Sequence, residues 1–322
     1  MEIVILGGAG ELGSHFAKLC LDRGDNVTII DVVRFYEAWR LVELDVADKV
    51  EYIWKSSLDI TSKDFETCDI ILDCACQADR PLGTSSPRHT MQANLGGPLA
   101  ILESVKRLDI QPLIIYPSSC VEFLGVPQED QPITEETIPK PTNMYGWSKW
   151  VAEEMYLTHS RAFDSPCTIV RTGSCYAPMM RTDQAIAQFI IKSLKNENLY
   201  VKSPDATRTY TYAKDVLDFY ELFLKKFESD TYPFRNLVIS NGGNAEDRPF
   251  TTIEAARIIA DLVGYDNFIE PASYESGEYI NGKPVYQWEA PSKIAKSLLG
   301  WEPKYTFEDG LKETIQWFKT KY

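Results

Sequence analysis

No stretch of the 322-residue sequence reaches the roughly 18 consecutive apolar residues of a membrane-spanning helix, so a bilayer-embedded protein is not expected. Histidine is scarce. The three copies, His15, His89 and His159, stand at no metal-ligand spacing to one another or to a cysteine, which argues against a zinc site, and no metal is expected. The seven cysteines, Cys20, Cys68, Cys74, Cys76, Cys120, Cys167 and Cys175, form no C-x-x-C pair and are odd in number, the usage of free thiols in a reducing compartment. Cations are outnumbered, 33 Lys and Arg against 47 Asp and Glu, for a formal charge of -14. Such a balance excludes an electrostatic grip on nucleic acid or anionic lipid, and leaves any anionic ligand to be held by local donors. Low-complexity tracts, internal repeats and a cationic leader before the first apolar run are missing too, so a cytoplasmic globular enzyme or binding protein is the expectation.

What is present is an alternation. Short runs rich in Ile, Val and Leu near 2–6, 27–31, 50–54, 69–73, 112–116 and 167–172 are separated by helical patterns near 11–23, 61–66, 86–108 and 143–163. Apolar strands alternating with amphipathic helices predict a parallel sheet covered on both faces. The fold class that follows is α/β, a Rossmann-type doubly wound parallel sheet with a smaller α/β substrate lobe toward the C-terminus. The expected division is 1–173 plus 235–262 for the dinucleotide-binding domain and 174–234 plus 263–322 for the lobe. Gly96-Gly97-Pro98 falls in the middle of the third helical pattern, where the absent proline N–H is expected to kink or break the helix.

The first strand runs into Gly7-Gly8-Ala9-Gly10-Glu11-Leu12-Gly13 and then a helix, a turn on which a pyrophosphate reaches backbone amides. Eighteen residues later the second strand ends at Asp31, whose carboxylate is placed to accept from both hydroxyls of an adenosine ribose. Its charge would repel a 2′-phosphate, so NAD is expected rather than NADP, with Arg34 the one feature pulling the other way. A glycine turn alone also joins strands to helices for no functional reason.

Tyr145 and Lys149 are four residues apart on a helical pattern and project from one face. A phenol titrates near pH ~10, and lowering it by about three units costs about 4 kcal/mol, a task for a neighbouring ammonium and a cationic ring. The fifth strand ends at Tyr116-Pro117-Ser118-Ser119-Cys120, and the carboxyl ends of parallel strands are where ligands bind. The plain alternatives are turn chemistry for the serines and packing for Cys120.

The glycine turn, Asp31, Asp59-Ile60, Cys74-Ala75-Cys76-Gln77, Asn94, the serine strand end, Tyr145 with Lys149, Arg171 through Pro178, Arg208-Thr209-Tyr210-Thr211-Tyr212 with Asp215, and the closing Leu299-Gly300-Trp301-Glu302-Pro303 fall in order along nearly the whole chain. Together they resemble the extended short-chain dehydrogenase/reductase family in its nucleotide-sugar epimerase and dehydratase branch. The resemblance implies that NAD oxidises a sugar hydroxyl at carbon 4 and the hydride later returns, with Tyr145 as base, Lys149 as its electrostatic partner and bridge to the nicotinamide ribose, and Ser118 orienting the substrate oxygen. It implies cofactor contacts from Gly7, Gly10, Glu11, Leu12, Gly13, Asp31, Asp59, Ile60, Cys74, Ala75, Cys76, Asn94 and Lys149. Substrate contacts would come from Ser119, Ser174, Arg208 and Lys283, and a homodimer would pair the helices near 86–108 and 143–163.

This chain departs from the branch in places. The 4,6-dehydratases read S-T-D-E-V-Y-G where Ser118-Ser119-Cys120-Val121-Glu122 stands here, so their acidic pair is missing. Ser-Ser-Cys is similar instead to members in which a cysteine exchanges protons beside a ketone, making Cys120 either a proton carrier or a packing residue, and Glu122 a second acid/base candidate. Asn281-Gly282-Lys283-Pro284 replaces a second diphosphate arginine. The expectation is an NAD-dependent epimerase of a nucleotide-diphosphate sugar; the alternatives are a dehydratase or net dehydrogenase/reductase, and a non-catalytic NAD-binding regulator.

Overall fold

The computed structural model describes residues 1–230, 232–272, 279–280 and 283–322. The chain divides into two compact units, the first comprising 1–122, 141–171 and 220–239 and the second 123–140, 172–219 and 240–322. Beside the expected boundaries, 220–234 falls in the first unit, and 123–140, 172–173 and 240–262 fall in the second. Packing accounts for two of these: the Tyr220 ring meets Phe16 edge-on at 5.1 Å in the first unit, while helix Thr252–Val263 buries Ala255, Ala256 and Ile259 in the second unit's core.

The first unit is built on β1 (Glu2–Leu6), α1 (Glu11–Arg23), β2 (Asn26–Asp31), α2 (Trp39–Glu43), β3 (Glu51–Trp54), β4 (Ile70–Asp73), α3 (Arg80–Ser85), α4 (Pro87–Val105), β5 (Leu113–Pro117), α5 (Met144–Phe163) and β6 (Cys167–Arg171). The sheet runs in the order β6-β5-β4-β1-β2-β3, with strand Leu237–Ser240 added beside β6. Neighbours among β1 to β6 pair in parallel. Ile3, Ile5, Leu6, Ile70, Ile71, Leu72, Ile114 and Ile115 are almost wholly removed from water, which explains why these strands read as unbroken apolar runs rather than alternating ones. Strand order reverses between β1 and β4, and in an open parallel sheet the crevice at that switch is where a ligand sits. The 61–66 pattern forms a 3₁₀ turn, Ser62–Phe65, closed by reciprocal bonds between Thr61 and Asp64.

Gly96-Gly97-Pro98 does not break the third helix: α4 continues through Pro98 to Val105. The glycines serve a close approach. A Cβ on Gly96 would lie 2.4 Å from Leu58 Cδ2, and one on Gly97 2.8 Å from Ser57 Oγ, so bare Cα atoms let the Ser57–Asp59 turn rest on α4.

The second unit carries helices Ala185–Leu194, Thr252–Val263, Lys293–Leu299 and Phe307–Lys319, with several two-stranded ladders. Phe307, Leu311, Ile315 and Phe318 enter one core with Ile186, Ile190 and Ile259. Asp215 anchors the tail: its carboxylate accepts from Lys304 N–H at 2.8 Å and Tyr305 N–H at 3.2 Å, and its carbonyl accepts from the Trp301 indole at 2.9 Å. Gln131 joins the segment 123–140 to the C-terminal part, donating to Tyr286 O at 2.6 Å and accepting from Trp288 N–H at 2.7 Å.

Candidate active site

At the end of β1 the chain turns through Gly7 with φ +75, where a Cβ would sit 2.8 Å from Ala75 N across the switch. A Cβ on Gly13 would lie 2.5 Å from Gly7 O, so the glycine also lets α1 start hard against the turn. Gly10 precedes α1 with no capping side chain, and a helix start of this kind suits an anion; Glu11 and Leu12 belong to that first turn. Asp31 at the end of β2 accepts from Ala9 N–H and Val33 N–H, both at 2.9 Å. A carboxylate offers about four acceptor positions, so two remain for a ribose diol. Arg34 is held away from this role: it lies 5.1 Å from the Trp54 ring and donates to Tyr36 Oη at 2.7 Å. These residues fit an adenosine diphosphate whose ribose carries no 2′-phosphate.

The loop Cys74-Ala75-Cys76-Gln77 leaves the switch from β4 and is clipped by Asn94. Asn94 Oδ1 accepts from Gln77 N–H at 2.6 Å, and Nδ2 donates to Gln77 O at 3.1 Å and Ser148 Oγ at 2.9 Å. Ser148 in turn donates to Tyr145 O at 2.7 Å, so one buried amide ties the cofactor-side loop to α5. Asp59 ends its turn on α4, and Ile60 beside it is buried in the core.

Asn143 caps the start of α5, its side chain accepting from Gly146 N–H at 2.9 Å. A Cβ on Gly146 would stand 2.8 Å from Val121 O, so its absence seats the first helical turn directly on the Ser118–Glu122 loop. There the Tyr145 phenol and the Ser119 side chain are hydrogen-bonded; burial, with Cys76 next in effect, pushes the phenol above its ordinary value against the pull of that bond. Lys149 is 3% exposed, donates from Nζ to Pro117 O at 2.6 Å and lies 3.9 Å from the Tyr116 ring centroid. Ser118 is hydrogen-bonded to Glu122. Glu122 is fully buried, also accepting from Ser119 N–H at 3.2 Å; burial first and Glu153 second push its carboxyl well up. Cys120 is buried beside them.

Three neighbours escaped the sequence reading. Asp73, at the end of β4, accepts from Tyr156 Oη at 2.7 Å, and burial raises it while the Tyr156 bond and Lys149 pull it down. Glu153 is fully buried and gripped by Arg171 through two bonds of 3.2 and 3.1 Å. A signal existed: Tyr145, Lys149, Glu153 and Tyr156 follow i, i+4, i+8, i+11 on one helix face, and Asp73 ends an otherwise apolar strand. Ser174, Arg208 and Lys283 lie in the second unit. Arg208 donates to Thr207 O at 2.6 Å, and Lys283 is exposed; Asn281 and Gly282 lie outside the described residues. Among the described residues no group of three His, Cys, Asp or Glu could hold a metal ion.

A family model described as the NAD dependent epimerase/dehydratase family matches residues 3–235. The chain belongs to this family. Its cofactor is NAD. Among relatives, a dTDP-D-glucose 4,6-dehydratase of Homo sapiens is 24% identical over 331 residues, covering 100% of this chain and 91% of that protein. A putative UDP-glucose 4-epimerase of Methanocaldococcus jannaschii is 26% identical over 333 residues, covering 98% of each. The crystal structure of UDP-glucuronic acid 4-epimerase from Bacillus cereus in complex with UDP-glucuronic acid and NAD superposes with a TM-score of 0.84 at 21% identity, covering 100% of both chains, and shares the fold. No helix among the described residues is long and apolar enough to cross a membrane.

The Asp31 geometry carries a prediction. Asp31→Asn keeps the size of the side chain but loses the charge and one acceptor. NAD affinity is expected to fall by about 10- to 100-fold, the worth of a charged hydrogen bond, while NADP affinity holds or rises. Calorimetric titration with both dinucleotides checks it, and unchanged selectivity would remove Asp31 from the ribose site.

Proposed function

We propose that this member of the family is an NAD-dependent epimerase of a nucleotide-diphosphate sugar, working through transient oxidation of a sugar hydroxyl with Tyr145 as the base. The observation that carries this reading is the phenol of Tyr145 on the Ser119 hydroxyl, one helical turn from the Lys149 ammonium and joined through Ser148 and Asn94 to the loop that meets the glycine turn. Bound NAD supplies reversible hydride acceptance. Tyr145 takes the hydroxyl proton at its Oη and returns it; Lys149 lowers the cost of the phenolate; Ser118 and Ser119 hold the sugar oxygen. In the second unit, Arg208 is assigned to the diphosphate with Lys283 as a point charge, and Ser174 to the sugar. Glu122 is buried and tied to Ser118 rather than facing solvent, which favours epimerisation over an elimination needing a free acid at this strand end. Incubation of NAD-loaded protein with UDP-, GDP-, CDP- and dTDP-sugars should yield a new sugar isomer. A 4-keto-6-deoxy product would make it a dehydratase, steady NADH accumulation a net dehydrogenase, and inertness across the panel would leave a binding protein.

A homodimer belongs to the same proposal. α4 and α5 border an apolar groove of about 470 Å³ lined by Leu99, Leu102, Val151, Met155, Ala162 and Phe163, with Leu99 51% and Phe163 46% exposed. Two copies packing these helices together would cover it. Light scattering is expected to give twice the 36.6 kDa chain mass, and Leu99→Glu to give the single chain; a parent that runs as a monomer at working concentration overturns the pairing.

A further inference from the structure

Glu122 is a carboxyl removed from bulk solvent, with too few protein donors around it to hold it as an anion. Its Oε1 meets Ser118 Oγ and the Ser119 N–H, and its Oε2 is buried without a hydrogen-bond partner. The neighbouring cation is committed: Arg171 grips Glu153 with two bonds, and Glu153 is buried as completely as Glu122. An ionised Glu122 would set a second negative charge beside the first with half its acceptor positions bare, the costly arrangement for a buried carboxylate. As the neutral acid it needs one acceptor for one proton, and of the side-chain and backbone atoms bonded to it only Ser118 Oγ accepts. A serine oxygen that accepts from behind has its own hydrogen free to point forward.

We propose that Glu122 is a positioning residue: standing as the neutral acid, its Oε1–H donates to Ser118 Oγ and turns the serine's own hydrogen outward, to be donated to the substrate oxygen. The inference rests on the functional reading above, in which Ser118 orients the sugar hydroxyl. The groups facing Glu122 are Glu153 and Tyr145 on α5, Arg171 on β6 and Tyr116 on β5. Burial and Glu153 favour the neutral acid, while Ser118, Arg171 and the Ser119 amide oppose it with smaller effect. Since only the acid donates, activity is lost as pH rises through the titration of Glu122.

The protonation state is read without turnover. Infrared difference spectra of NAD-loaded parent against Glu122→Gln should show a protonated-carboxyl stretch at pH 7, and Ser118→Ala should shift that band by removing its acceptor. A missing band, or one indifferent to Ser118→Ala, overturns the proposal whatever the sugar panel gives; an inert panel with the band present overturns the functional reading instead. With a sugar found active, Glu122→Leu should lower kcat by about 100-fold, within the range of a lost oriented proton donor, and Glu122→Gln should recover about tenfold of that and lose the alkaline fall of the parent's pH profile. In a Ser118→Ala background Glu122→Leu should cost no more than about twofold, because one residue acts through the other; full additivity contradicts it.

Discussion

Tyr145→Phe should lower kcat by about 10³- to 10⁴-fold, the upper part of the range for a positioned acid/base group, with NAD affinity within about twofold of the parent. The substitution keeps the ring that fills the space between the Ser118–Glu122 loop and α5 and removes only the oxygen bonded to Ser119. Without it no group at this place accepts the sugar proton. In the structure the phenol is held protonated by burial, so as a base it must be brought down on assembly of the complex. The ultraviolet phenolate signal of the parent, after subtraction of the Tyr145→Phe spectrum, should therefore appear at lower pH with NAD than without it. A Phe variant turning over as the parent does would remove the phenol from the chemistry.

Lys149→Met should be as damaging, by two separable routes. On the proposed function, turnover should fall by about 10³-fold with the loss of the charge assigned to lower the phenol and to bridge the cofactor ribose. Stability should fall as well, because Asp73 loses the nearby cation that pulls its buried carboxyl down. The sign follows from proton counting. With Lys149 gone, Asp73 keeps its proton in the folded state to higher pH while the unfolded chain gives it up near ~4. Folded protein then binds more protons than unfolded, and stability declines with rising pH by up to about 1.4 kcal/mol per unit. The deficit against the parent should thus be small near pH 4 and large near pH 8 in urea titrations. Adding Asp73→Asn should restore most of the stability and none of the turnover, and a double variant as unstable as Lys149→Met would show that Asp73 is not the group left uncompensated.

The order of strands and helices could be read from the sequence because both faces of the sheet are covered, which leaves apolar runs such as Ile70-Ile71-Leu72 with no polar interruption until the ligand end. The place of Asp31 was legible because its carboxylate is set by one strand end and one turn. Where a feature depends on segments far apart in sequence, the reading stopped. Glu122, Glu153 and Arg171 gather only once β5, α5 and β6 are packed, and nothing in any one segment says that one guanidinium faces two carboxyls. Gly96 and Gly97 read as a helix defect because their use, contact with Leu58 and Ser57, lies outside their own helix. The division of the chain at Tyr220 was hidden for the same reason: the helix Ala213–Ser229 is continuous, and only its partner Phe16 assigns that residue to the first unit.

Transient oxidation is tested most directly by isotope. A sugar nucleotide found active in the panel would be prepared with deuterium on the carbon that carries the reacting hydroxyl and converted to completion in ordinary water. The account predicts that the deuterium is recovered on that same carbon of the epimer, with none in solvent and no net reduced dinucleotide. Deuterium washed into water, or left on NAD at the end of the reaction, would contradict it.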